Sequence, residues 1–220
     1  MLTVIGFLFG AWVVWGYLRR RSSPTSLVVF TPRKRWALTL AQPMVDATGM
    51  TGFFDPETTY FADQARDTLR APLLHQIGFR SNASDDEVRN HLNSTLERQW
   101  FRIDLHGLNP SDDPRAAVAF ACVRSAFFAR CATLMGWLEA DSGWRIMLLN
   151  AQRAQDCFDS WEDFGQAFML GRRQWVAAFR ADALGSTFNE DSLKQLLAPE
   201  GGAWAKVAWQ GLPAFSPVTE

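Results

Sequence analysis

Apolar positions along this chain recur every three or four residues, and no comparable run alternates with period two, so the pattern predicts helices throughout. The longest stripe, Phe120, Val123, Phe127, Cys131, Leu134 and Leu138, follows Asp113-Pro114, where Asp can cap the free backbone N–H groups and Pro suits the first turn. Gly143 is expected to separate this helix from the next, which reaches about Phe158. Ser160 then caps another, with Glu162 and Asp163 at the positive end of its dipole. Its stripe runs through Trp161, Phe164, Phe168, Gly171, Trp175 and Ala178 and ends at Asp182. Gly171 costs about 1 kcal/mol relative to Ala in a helix, so it predicts close approach of a second helix there. Ser84 with Glu87 forms a capping box, and Asp55-Pro56-Glu57 predicts a further start. The expected fold is all-α, a globular bundle of about seven or eight helices with irregular ends near Gly201-Gly202 and Pro213.

The N-terminus departs from this pattern. Residues 2–18 are uncharged and mostly apolar, carry Trp12, Trp15 and Tyr17 toward their end, and are followed by Arg19, Arg20 and Arg21. At about 1.5 Å per residue this run reaches roughly 25 Å, a short membrane-spanning helix with snorkelling arginines. A cleaved signal peptide is the rival, but it wants charge before the apolar run and a small-residue cleavage site after it. The positive flank places the N-terminus outside and the body in the cytoplasm, at the bacterial inner membrane. Gly6 and Gly10, four apart, allow a homodimer through this helix. The resulting division is an anchor with basic flank at 1–21, a linker at 22–35 with the short extended run 27–30, and a helical domain at 36–220.

Charge sharpens the division. Six of the 22 Lys and Arg residues and none of the 23 acidic ones fall within residues 1–35, so residues 36–220 carry a net charge of −7. An acidic body argues against direct nucleic-acid binding and suits a basic protein partner, although ordinary solubility explains it equally well. Cys122, Cys131 and Cys157 are odd in number, lack a C-x-x-C pair and lie among apolar residues of predicted helices, which reads as core thiols in a reducing compartment.

Candidate chemistry is sparse: no metal signature, cofactor motif or catalytic constellation is present, and no catalytic residue is assigned. His75, His91 and His106 are scattered. Glu87 and His91 have the spacing of a helix-surface ion pair, and Asp104 and His106 lie two apart in a predicted loop. Asp156, Asp159, Glu162 and Asp163 gather negative charge where two helices meet, either to face a basic partner, to hold a divalent cation, or simply to cap a helix. Arg153, Arg172 and Arg173 are placed to pair with them, which would make this stretch a clasp between antiparallel helices.

The stretch Ser160-Trp161-Glu162-Asp163-Phe164-Gly165, followed by Gly171-Arg172-Arg173-Gln174-Trp175, resembles the C-terminal signature of the bacterial domain-of-unknown-function family 1266. Trp36-Ala37-Leu38, Leu74 to Phe79, and the helix through Leu92 and Leu96 are similar to the family's looser N-terminal half, so the resemblance spans roughly 36–179. It implies an all-helical cytoplasmic fold, no transferable catalytic residue, and a structural role for Trp161, Phe164, Gly165, Gly171, Arg172 and Trp175. It also implies kinship with immunity partners of secreted bacterial toxins of the type VI secretion kind. The leading expectation is a membrane-anchored, cytosol-facing immunity protein that binds a cognate toxin, a nuclease effector for example, through Asp156, Asp159, Glu162 and Asp163. The alternatives are a hydrolase-like enzyme with a site near Asp104 and His106, or a structural subunit of an envelope complex.

Overall fold

The computed structural model describes residues 31–95, 107–178 and 188–210. They form eight helices: α1 (Pro32–Thr39), α2 (Gln42–Thr48), α3 (Asp63–Gln76), α4 (Asp85–Thr95), α5 (Pro114–Leu134), α6 (Ala140–Cys157), α7 (Trp161–Ala177) and α8 (Glu190–Leu197). No strand occurs among the described residues. The expected anchor at 2–18, with Gly6 and Gly10, and the pair Asp104 and His106 lie outside the described residues.

α5 is the axis. Its expected stripe is buried, although the helix ends at Leu134 and Leu138 lies beyond it; most of the rest of its surface is buried too, because alanines cover the other faces and let α6, α7, α1 and α2 pack around it. It is also long and apolar enough to cross a membrane, but 83% of its apolar window lies inside the fold, which marks a core helix. The cap is as expected: the Asp113 carboxylate accepts from Arg115 N and Ala116 N, with Pro114 in the first turn.

A missing Cβ lets a neighbour approach closely at two points. A Cβ on Gly171 would lie 2.1 Å from the carbonyl oxygen of Ala116, so α7 touches α5 where the mid-stripe glycine predicts it. Gly143 makes room on the other side for a side chain, not for a backbone. It is not the separator expected from the sequence but sits inside α6, where its missing Cβ makes room for Thr133 of α5. The chain reverses instead at Gly136, whose φ of 73° is readily adopted by glycine.

Two other expectations change. The linker at 22–35 is too long by four residues, since α1 begins at Pro32 with Thr31 Oγ1 accepting from Lys34 N; threonine followed by proline is a helix start as well as a turn signal. Asp55-Pro56-Glu57 opens no helix. The Asp55 carboxylate accepts from Glu57 N at 2.9 Å and Thr58 Oγ1 at 2.8 Å, a local turn that competes with helix. Arg130, buried on α5, holds that turn by donating to the carbonyls of Phe53, Asp55 and Thr58. Burial lowers the Arg130 pKa from its ordinary value.

The capping box at Ser84 is present, with Glu87 accepting from Ser84 N and Ser84 Oγ. That engagement turns Glu87 away from His91, whose ring packs edge-on against Phe79 at 4.9 Å, so the expected Glu87–His91 pair is not formed. The neighbouring Asp85 anchors α3 to α4. Burial pushes its carboxyl up, but hydrogen bonds from Arg70 and Trp137 and the charges of Arg70 and Arg89 outweigh this and hold it below the ordinary carboxylate value.

Candidate functional site

The corner between α6 and α7 gathers the family signature and the acidic group. Phe158 leaves α6 in an extended conformation that puts its ring in the core, and Ser160 accepts from Asp163 N at 3.1 Å to start α7. The swing of Phe158 takes the interior position and leaves Cys157 exposed, which corrects its expected place in the core; Cys122 and Cys131 are buried as expected. Burial also pushes the Cys131 thiol pKa well up. A thiol reagent is therefore expected to modify Cys157 alone in the native protein within minutes, with Cys122 and Cys131 reacting only on unfolding. Mass spectrometry of the alkylated chain measures this.

A clasp fixes the corner, and its cation is Arg115 from the first turn of α5, a residue outside the expected set of Arg153, Arg172 and Arg173. Arg115 Nη1 donates to Asp163 Oδ1 at 2.9 Å and Nη2 to Oδ2, while Nε donates to the carbonyl of Cys157 at 3.0 Å. The guanidinium lies over the Phe158 ring, 4.4 Å from its centroid. Little in the sequence signals this pairing, because Arg115 sits 48 residues from Asp163 and its one local clue is the cap at Asp113.

The hydrogen bond from Arg115 holds the Asp163 carboxyl below its ordinary value of 3.8, and Asp163 in turn raises the Arg115 pKa. A depressed folded pKa means the stabilisation is complete above the unfolded value and is lost as pH falls through the folded one. Arg115→Ala is expected to cost about 1 kcal/mol at pH 7, since the pair is partly solvated. Urea unfolding at pH 7 and at about pH 2.5 measures it: the difference shrinks in acid, leaving the part due to packing on Phe158.

With Asp163 engaged, the other three carboxylates point outward. Asp156, Asp159 and Glu162 are exposed, Asp156 accepting from Gln152 at 2.9 Å within α6. They do not converge on a common point: among the described residues no three His, Cys, Asp or Glu side chains are grouped to hold a metal ion.

Behind the corner lies a tryptophan cage. Trp161 stacks on Trp36 and on Trp204, each at 5.0 Å, and meets Trp209 edge-on at 4.7 Å. Phe164 closes the cage against Trp204 and Trp209. Every indole N–H of these four tryptophans is satisfied by a carbonyl far away in sequence. Trp36 donates to Ala208, Trp161 to Val207, Trp204 to Thr39 and Trp209 to Phe158. The cage thus ties α1, the α6–α7 corner and the segment 204–209 together. Gly165 belongs to it as well, since a Cβ there would lie 2.3 Å from Leu193 of α8 and 2.9 Å from Trp204. Further along α7, Trp175 stands beside Phe120, under the guanidinium of Arg124 at 4.5 Å, and Arg172 is half-buried. Trp161, Phe164, Gly165, Gly171 and Trp175 thereby sit in packing contacts, and the exposed carboxylates beside them lie on the surface.

No curated protein and no solved structure matches this chain. A family described as "Protein of unknown function (DUF1266)" matches residues 44–209. The match begins after Trp36 and runs past the expected limit near Phe179 to end on Trp209, so it takes in Trp204 and Trp209, which the irregular composition after Gly201-Gly202 conceals. Spanning the clasp and three of the four caged tryptophans, this match covers most of the chain, and the chain belongs to the DUF1266 family.

Proposed function

We propose that this chain is a membrane-anchored, cytosol-facing protein-binding domain, an immunity protein that captures and neutralises a cognate basic toxin. The observation that carries this reading is the exposed trio Asp156, Asp159 and Glu162 on a corner held rigid by Arg115, Asp163 and the tryptophan cage. Rigid, exposed, like-signed charge is what steers a basic partner and raises its rate of capture. The acidic body, of net charge −7 over residues 36–220, supports it. The apolar run at 2–18 followed by three arginines supports tethering at the inner membrane, where an incoming toxin arrives.

The test is an affinity capture with the full chain in mild detergent, from its native bacterium, with a salt series. A single stoichiometric toxin-like protein, released as salt rises and no longer toxic when co-expressed with this chain, is the expected result. A toxin that binds equally at high and low salt, or that kills cells despite the chain, overturns the reading.

A further inference from the structure

A second site lies apart from the acidic corner. α2 and α8, with the turn Gly201–Ala203, enclose a groove of about 390 Å³, within the range of small-ligand sites. Phe188 and Leu196 are among its apolar lining residues, and its polar side chains are Gln42, Asp46, Ser192 and Gln195. The walls are fixed. Gly202 N donates to Ala198 O at 2.9 Å and Trp204 N to Leu196 O at 3.1 Å, while the Trp204 indole reaches Thr39 beside α2. Gly202 permits this fold of the backbone, because a Cβ there would stand 2.3 Å from the Leu196 carbonyl oxygen.

Among the described residues, Asp46 is the only charged group lining the groove. Its Oδ1 accepts from Gln42 Nε2 at 2.7 Å, and among the described residues no cation pairs with it. Lys194, the basic residue on α8, is engaged with Asp191 at 3.6 Å. The Gln195 side chain is exposed and makes no hydrogen bond among the described residues. Asp46 is an exposed residue at the groove, and the partial burial of its carboxyl raises the pKa above its ordinary value, more than the Gln42 bond lowers it. The groove therefore offers one anion, amide oxygens and the apolar side chains of Phe188 and Leu196, and the matching ligand has a positive end rich in N–H donors on a short apolar stem.

We propose that this groove binds a guanidinium or primary ammonium group, its charge on Asp46, its N–H groups on the amides of Gln42 and Gln195, and its methylene stem along Phe188 and Leu196. The assignment stands on the groove alone and does not depend on the acidic corner or on the toxin reading. A free amine and the arginine or lysine side chain of a peptide share this chemistry.

The experiment is an amide NMR titration of the full chain in detergent with two probes, agmatine and the blocked peptide acetyl-Ala-Arg-Ala-amide. Shifts confined to the groove, at Ala47, Ser192 to Leu196 and Gly202, with a dissociation constant on the order of millimolar, are expected for at least one probe. Response to agmatine alone assigns a free amine; response to the peptide alone assigns a side-chain pocket; response to both assigns the shared cation. Asp46→Asn is expected to weaken binding about tenfold or more while leaving the thermal midpoint unchanged or slightly raised, and Asp46→Glu to retain part of it. Absence of groove shifts with both probes, or equal affinity in Asp46→Asn, overturns the proposal.

Discussion

Gly171→Ala is expected to destabilise the fold by about 3 kcal/mol, against an intrinsic helix propensity that favours alanine by about 1 kcal/mol. The sign follows from what the new methyl group meets. It would fall 2.1 Å from Ala116 O, 2.7 Å from Ala116 C and 3.0 Å from Phe120 Cβ, two of them backbone atoms of a helix that cannot rotate aside. α5 and α7 would have to separate, opening the contact between Phe120 and Phe168, whose rings now stand 5.9 Å apart. Thermal unfolding measures it, with a midpoint lowered by roughly 6–12 °C for a domain of this size. A variant as stable as the wild type would mean that the helices do not touch at this glycine.

Trp161→Ala is expected to cost about 4 kcal/mol, the upper part of the range for deleting a buried aromatic. Trp161 is the centre of the cage: its ring contacts Trp36, Trp204, Trp209 and Phe164, and its N–H donates to Val207 O at 2.6 Å. Its loss removes the common partner of α1 and the segment 204–209, so hydrogen exchange at Trp204 and Val207 is expected to accelerate far more than exchange in α5. Trp161→Phe separates the two contributions. It keeps most of the ring contact and orphans the Val207 carbonyl, for an expected cost of about 1–2 kcal/mol by urea unfolding.

These two positions also show how far the sequence could be read. Periodicity locates α5, α6 and α7 because their apolar residues repeat within one turn or two, and the caps at Asp113 and Ser160 are local chemistry. The close approach at Gly171 is legible because a glycine inside an apolar stripe buries no side chain of its own, and contact with a neighbouring backbone is what compensates for that loss. Gly143 makes room for the Thr133 side chain instead, and it lies near a chain reversal, where a glycine resembles a separator. Asp55 fails as a helix start for a long-range reason: its turn is held by Arg130, whose contacts cross 72 to 77 residues. The cage is the least visible feature. Trp36, Trp161, Trp204 and Trp209 share no helix and no period, and what unites them is each indole reaching a distant carbonyl.

The candidate partner surface divides in the same way. Asp156, Asp159, Glu162 and Asp163 form one group along the chain, and only three dimensions separate them by role. Asp163 belongs to the clasp, whereas Asp156, Asp159 and Glu162 remain available to a partner. The clasp and the proposed partner surface thus use neighbouring but different side chains, and substitutions can part them.

One variant tests that separation directly. The triple substitution Asp156→Asn, Asp159→Asn, Glu162→Gln removes three exposed charges and leaves Arg115, Asp163 and the cage in place. Toxin capture and protection of co-expressing cells should be measured alongside thermal unfolding. A midpoint within a few degrees of wild type is expected, because surface changes of this kind cost only about 0.5 kcal/mol each, with capture weakened at least tenfold and protection lost. A triple variant that captures and protects as well as the wild type would contradict the assignment of this corner as the partner surface.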